Sequence, residues 1–263
     1  MMRSLYTAGT GMYAQQLNVD TIANNMSNVN TTGFKKERVE FQDLLYQLIR
    51  RPATTETTNE PVGLSVGLGV KSVAINTLFG QGSMQQTENT YDIAISGEGF
   101  FQIQLPNGEI RYTRDGSFKR DGTGQLVTTD GYLVVGDSTP LTIPDDATEV
   151  SIATDGTISY IPEDSTEATE VGKIQLSKFT NPAGLLKESS NLYQATSNSG
   201  DPIEWDPESD SSTTLISGYL EMSNVKVVEE MVSLITAQRA YDINSKVIQA
   251  SDEMLQTANG LRR

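Results

Sequence analysis

The sequence predicts an α+β protein with long N- and C-terminal helices paired as a coiled-coil-like module, a central all-β domain and an extended insertion arm. Three observations predict it. Apolar residues recur mostly at steps of three, four or seven between Asn224 and Arg263. A second seam of the same period runs from Leu5 to Val29. Between them, short apolar runs are punctuated by Asn-Gly and Asp-Gly pairs, the signals of strands joined by tight turns. The expected boundaries are 1–33 and 224–263 for the helical module, 34–71 for the insertion and 72–223 for the β-rich domain.

The head helix is expected to start near Ser4, a possible N-cap, and to run to about Asn30, some 40 Å at 1.5 Å per residue. Gly33 suits the left-handed residue that follows a last helical turn. Leu5, Met12, Val19 and Met26 share one heptad position, and Ala8, Gln15, Ile22 and Val29 another. Between Arg3 and Lys35 the only charge is Asp20, while Asn18, Asn24, Asn25, Asn28 and Asn30 are poor helix formers. Such a helix is marginal alone and takes its order from packing. Amides at crowded contacts also avoid the desolvation cost of charges. Gly9-Thr10-Gly11 matches a loose dinucleotide fingerprint, but no strand precedes it. Small residues that let two helices approach closely account for it better.

Phe41, Leu44, Leu45, Leu48 and Ile49 form an apolar cluster whose spacing fits either a helix or an extended chain. A Thr-rich connector bounded by Pro52 and Pro61 follows. Val62 to Val70 then alternates apolar and small residues, as an arm lying along another surface would. A flexible linker is the plain alternative, and the large residues argue against it.

From Ser72 to Gly218 the chain reads as β. Asp92–Ile95, Phe100–Leu105 and Ile110–Arg114 are expected strands, the last two joined by a turn at Asn107-Gly108. Asp115-Gly116, Asp121-Gly122, Asp130-Gly131 and Asp155-Gly156 set a rhythm that suits a barrel or sandwich. Residues 163–170 and 201–212 are acidic, loop-like stretches, and Trp205 in the second is expected to anchor local packing. Beyond Gly218, Ser223 or Asn224 is the expected cap of the tail helix. Its seam comprises Val225, Val228, Val232, Ile235, Ile243, Val247, Ala250, Met254 and Leu261, with a stutter at Arg239. Glu229 and Glu230 sit near its positive end, Arg262 and Arg263 near its negative end, and Asp242 and Lys246 are spaced as an ion pair.

Composition excludes several functions. The 263 residues contain no Cys and no His, which removes thiol nucleophiles, the usual zinc ligands and every His-based catalytic triad. A formal net charge of −15 disfavours nucleic acid and anionic membranes, which demand clustered basic surface. Met1 to Tyr6 lacks a signal peptide's apolar core, which predicts a cytosolic protein or one exported without a cleaved signal. The acids cluster in turns and loops, where solvated Asp-Gly pairs belong, and Ser223-Asn224-Val225-Lys226 matches a penicillin-binding motif without its companions. No catalysis and no cofactor are expected.

Four stretches resemble one family. Ala23-Asn24-Asn25-Met26-Ser27-Asn28-Val29-Asn30-Thr31-Thr32-Gly33-Phe34-Lys35 is similar to the N-terminal signature of bacterial flagellar rod and hook proteins. Asp92-Ile93-Ala94-Ile95-Ser96-Gly97-Glu98-Gly99-Phe100-Phe101 and Tyr112-Thr113-Arg114-Asp115-Gly116-Ser117-Phe118 resemble their β-domain motifs. Ser223-Asn224-Val225, Glu229-Glu230-Met231-Val232 and Gln238 to Lys246 resemble their C-terminal signature. The length and the stretch from Phe41 to Val70 are similar to the distal rod members, and residues 136–217 match least. The resemblance implies a structural subunit of the distal rod in the periplasm, stacked helically into a rigid hollow drive shaft. Its terminal helices would form the inner tube. Implied partners are further copies of the chain, neighbouring rod and hook or hook-junction proteins, the surrounding basal-body rings and the flagellar type III export apparatus, with no nucleic acid. Another rod protein of similar length, a hook-type axial protein, or a secreted β-rich enzyme or adhesin with oligomerising ends are the alternatives.

Together the seams and the resemblance assign assembly contacts to Leu5, Met12, Val19, Ile22, Asn24, Asn25, Asn28, Gly33 and Phe34 in the head. In the insertion they point to Phe41, Leu44, Leu45, Tyr46 and Ile49. In the tail they point to Val228, Met231, Val232, Ile235, Arg239, Tyr241, Ile243, Asn244, Lys246, Met254 and Leu255.

Overall fold

A computed structural model describes residues 2–51, 53–55, 58–60, 62–137, 140–163, 167–207 and 210–260. Pro52 and Pro61 of the connector, parts of both acidic stretches (164–166 and 208–209), and Leu261, Arg262 and Arg263 of the tail lie outside the described residues. Among the described residues, no helix is long and apolar enough to cross a membrane.

The chain divides into a helical unit and a β unit, and the polypeptide passes between them four times, at 27/28, 36/37, 77/78 and 225/226. The helical unit contains α1 (Met2–Ser27), a run of strands and α2 (Val227–Gly260). Its strands are β1 (Glu37–Asp43), β2 (Tyr46–Arg50), β3 (Ala53–Thr55), β4 (Thr58–Glu60), β5 (Leu64–Gly67) and β6 (Val70–Thr77). They pair antiparallel as β1 with β6, β2 with β5 and β3 with β4, so the described strands between Glu37 and Thr77 make a ribbon of three nested two-stranded pairs. The cluster from Phe41 to Ile49 is therefore extended. Residues 72–77, expected with the β domain, belong to this ribbon and to the helical unit, because Glu37 pairs with Thr77 and Phe41 with Ser72.

Two helix boundaries differ from expectation for a local reason. α1 ends at Ser27, since Asn28 begins a turn in which Thr31 donates its N–H to the Asn28 carbonyl at 3.2 Å and its hydroxyl lies 3.2 Å from Asn28 Oδ1. α2 begins at Val227 because the expected caps are engaged elsewhere. Ser223 Oγ accepts the Val225 N–H at 3.3 Å. The Asn224 side chain accepts the Lys36 N–H at 2.7 Å and donates to the carbonyls of Leu78 at 2.8 Å and Gly80 at 3.0 Å. The two helices are about 39 and 51 Å long at 1.5 Å per residue.

The β unit comprises residues 28–36 and 78–225. Its first strands are β7 (Met84–Gln86), β8 (Ile93–Ser96), β9 (Phe100–Gln104) and β10 (Ile110–Thr113). Then come β11 (Lys119–Arg120), β12 (Leu126–Val127), β13 (Leu133–Val134), β14 (Ala147–Ile152), β15 (Thr157–Pro162) and β16 (Thr169–Lys173). The last are β17 (Leu176–Lys178), β18 (Leu186–Lys187), β19 (Leu192–Gln194), β20 (Ile203–Glu204), β21 (Thr214–Ser217) and β22 (Tyr219–Glu221). A nine-stranded sheet runs β11-β12-β13-β9-β10-β19-β18, with β17 bridging β9 and β20. A three-stranded meander β14-β15-β16 and the pairs β8–β21 and β7–β22 complete it.

Strand β9 is buried on both faces, which its unbroken Phe100-Phe101-Gln102-Ile103 run encodes. Phe101 and Ile103 enter the main core with Ile93, Ile95, Phe118 and Leu176, while Phe100 joins Tyr112, Phe179 and Tyr193 in a second cluster of edge-to-face rings. Trp205 is a member of the main core, the packing role expected of it.

Residues 33–35, just after the head helix, plug into this unit. Gly33 has φ +67° and its backbone lies so near Arg114 and Asp115 that a Cβ would meet the Asp115 nitrogen at 2.6 Å. Its left-handed conformation thus serves close approach, six residues beyond the end of α1. The buried Phe34 ring receives the Lys187 ammonium at 4.3 Å from its centroid. Lys35 is wholly buried. Its Nζ donates to Glu221 Oε1 at 2.6 Å and to the Gly80 carbonyl at 2.9 Å. Glu221 also accepts from Arg114 Nη1 at 3.3 Å and from the Gly82 N–H at 2.8 Å, and Arg114 donates to the Gly97 carbonyl at 2.8 Å. Desolvation pushes the Lys35 ammonium and the Arg114 guanidinium below their ordinary ranges, against the pull of Glu221. One carboxylate thus holds two buried cations between the segment leaving α1 and the strand that precedes α2.

Candidate assembly surface

The contact between α1 and α2 is built from small and polar side chains. Ser4 and Ser251 hydroxyls lie 3.2 Å apart, Gly11 abuts Asn244, and Asn25 donates to Glu230 at 3.3 Å. Each step of seven along α1 is matched by a step of seven back along α2, so the two helices run antiparallel with Ser, Gly, Asn and Glu at their contact. Buried Ala237 continues the series on α2. At Gly11 a Cβ would stand 2.9 Å from Asn244 Nδ2, so the glycine lets the two backbones come close. Asn25 is the hub of the far end. Its Nδ2 donates to the Glu37 carbonyl at 2.8 Å while its Oδ1 accepts the Glu37 N–H at 2.9 Å, tying α1 to the first residue of the ribbon.

Val228, Val232 and Ile235, members of the tail seam assigned to assembly, lie on the opposite side of α2 from this contact, and Ile243 and Met254 are also exposed. Val228 is 74% exposed and Ile243 61%. Positions two residues before or after a buried heptad site are turned through about 200° on a helix with 3.6 residues per turn. Val228 and Val232 flank the buried Glu230, and Ile235 precedes the buried Ala237, by that step. Leu255 and Asn244 are half-buried, and Arg239, Tyr241 and Lys246 are exposed with Met231. The expected ion pair between Asp242 and Lys246 does not form. Lys226 and Glu229 pair instead at 2.9 Å.

A groove of about 750 Å³ opens on the helical unit between the first half of α1 and the inner end of the ribbon. Met2, Leu5, Tyr6, Tyr13, Leu44 and Val70 line it, and Lys71 is the one charged residue among the described residues that line it. The ribbon beyond it is apolar and open, with Leu45 86% exposed and Phe41, Tyr46, Leu48 and Ile49 also exposed.

The residues assigned to assembly therefore separate into groups. The groove brings Leu5 and Leu44 together. Phe41, Leu45, Tyr46 and Ile49 lie exposed on the ribbon, Val228, Met231, Val232 and Ile235 form an outward stripe in the first turns of α2, and Ile243 and Met254 are exposed farther along it. Met12, Val19 and Asn28 are half-buried, and Asn24 is exposed with Nδ2 3.3 Å from Glu37 Oε2. Ile22 and Asn25 are buried inside the helical unit, and Gly33 and Phe34 inside the β unit, where contacts within the chain occupy them. Apolar periodicity does not mark Glu230, Ala237 and Ser251 as the face of α2 that meets α1. Their spacing by seven and fourteen, in step with Asn244, is the signal that does.

Residues 5–35 match the family described as flagella basal body rod protein, residues 94–160 the flagellar hook protein FlgE/F/G D1 domain, and residues 216–261 the flagellar basal body rod FlgEFG protein C-terminal region. The chain is 51% identical to the flagellar basal-body rod protein FlgG of Borreliella burgdorferi and 42% identical to that of Bacillus subtilis, each match covering the whole of both chains. It is 31% identical to the flagellar hook-basal body complex protein FlhP of Bacillus subtilis, again over the full length of both.

Proposed function

The chain belongs to the FlgG family of flagellar basal-body rod proteins, and from that premise we propose how it works as a structural subunit of the distal rod. Copies stack helically into a rigid hollow shaft that carries motor torque across the periplasm toward the hook. The paired helices form the inner tube in a coiled-coil-like arrangement, the β unit forms the outer layer, and residues 37–77 act as an arm wedged against neighbouring copies.

One observation carries this reading: α2 is packed on α1 through its polar, small-residue face and presents its aliphatic face to solvent. A protein that had to be stable only as a monomer would bury that face, since each aliphatic side chain removed from water contributes about 1.5–3 kcal/mol. Left open, the stripe is a contiguous apolar surface of the kind that marks an interaction site. Neighbouring rod and hook proteins, the rings and the export apparatus remain the other expected partners.

The test is assembly of the purified chain. Sedimentation and electron microscopy across a concentration series are expected to show a threshold above which straight hollow polymers form. A chain that stays monomeric throughout would sink the rod reading.

A further inference from the structure

The rod reading states that copies meet. The helical unit also states where. Resting on that reading, we propose that the outward stripe of α2 around Val228–Ile235 docks into the α1–ribbon groove of a second copy, in a head-to-tail contact.

Three features of the unit support a second copy as the occupant. First, groove and stripe cannot meet within one chain. The antiparallel register sets Ser4 beside Ser251 and Gly11 beside Asn244, so the groove lies at the level of residues near 247 of α2. The stripe lies at the opposite end, beside the Asn25–Glu230 contact. Sixteen residues of helix separate the two levels, roughly 24 Å at 1.5 Å per residue. Second, their dimensions agree. The groove follows α1 from Met2 to Tyr13, about 16 Å, and Val227 to Ile235 spans about 12 Å with Val228, Met231, Val232 and Ile235 all exposed. Third, their chemistry agrees. The groove is lined mainly by apolar side chains, and the stripe is aliphatic, with the charges of Glu229 and Lys226 beside it paired to each other at 2.9 Å.

Two different surfaces on one unit, each fitting the other, make a heterologous interface. Such a contact repeats without closing on a two-fold axis and generates an open helical array. Each engagement would offset the helix pairs of successive copies by roughly 24 Å along their length.

The experiment uses two full-length variants. Val232→Glu breaks the stripe and Tyr6→Glu breaks the groove. Both sites are exposed, so folding is expected to survive and is checked by circular dichroism and by protease resistance of residues 78–225. Each variant alone is expected to raise the threshold concentration for polymerisation about ten- to a hundredfold. Mixed one to one, the intact groove of one variant takes the intact stripe of the other, and the mutated surfaces repel. The mixture is expected to form pairs containing one of each chain and to stop there.

Because the chain has no Cys, Tyr6→Cys on one copy and Val232→Cys on another give an unambiguous cross-link between unlike sites with a short bismaleimide. Normal polymerisation of either variant, a mixture that stays monomeric, or cross-linking only between like sites would overturn the docking and leave the rod reading standing. A wild-type chain that never polymerises would overturn both.

Discussion

Lys35, Glu221 and Arg114 show what one buried carboxylate can hold. Each cation has lost its hydration, and Glu221 is the group that compensates both. Glu221→Gln leaves two buried cations facing a neutral amide, and breaking a buried pair from one side typically costs about 3–5 kcal/mol. Urea unfolding of the β unit, followed by Trp205 emission, is expected to show a loss of that size. Lys35→Met is expected to cost less in the Glu221→Gln background than alone, because it removes a charge that no longer has a partner. Asp210 offers a second test in the same unit. Its carboxylate pairs with Lys178 and accepts from Ser212, which lowers its pKa from the ordinary 3.8 to about 2, and its carbonyl accepts the Trp205 Nε1–H at 3.3 Å. A carboxyl whose folded pKa is depressed contributes stability that is full above 3.8 and is lost as pH falls through about 2. The emission of Trp205, the single tryptophan, is expected to shift to the red within that window, and Asp210→Asn to show the shifted spectrum already at neutral pH.

At the scale of elements, the ribbon is the part most open to manipulation. The Leu44 N–H donates to the Gly69 carbonyl at 2.9 Å, so the ends of its distal portion are already adjacent. Deleting residues 45–68 and closing the gap with an Asn-Gly turn keeps the β1–β6 pairing. The chain is expected to fold and still polymerise, and the polymer to bend more, read as a shorter persistence length in electron micrographs. Unchanged stiffness would remove the arm from the account. The ribbon also shows why some elements resist reading from sequence. The two terminal helices, the strands around Phe100 and the turns at Gly108, Gly131 and Gly156, all with positive φ, follow from local pattern. The pairing of Glu37 with Thr77 joins residues forty apart, and no local period announces it. The face of α2 that meets α1 was hidden for a different reason. Apolar periodicity marks the side of a helix that wants cover but not which partner covers it, and here a run of Ser, Ala, Asn and Glu took the internal contact.

The whole molecule inverts the usual use of hydrophobic surface. The β unit buries its aromatic and aliphatic residues in two clusters, while the helical unit leaves its aliphatic stripe and its groove open. This division makes the residues assigned to assembly only partly legible in advance. Val228, Val232 and Ile235 are recognisable as apolar from spacing, whereas Ile22, Asn25, Gly33 and Phe34 share the same signatures and turn inward.

The four passages of the polypeptide between the two units carry a mechanical consequence. Were the units joined by a single peptide, any twist applied to one would reach the other through that lone tether, and one nick would sever the transmission. With four covalent crossings, a cut in any one still leaves three joining the units.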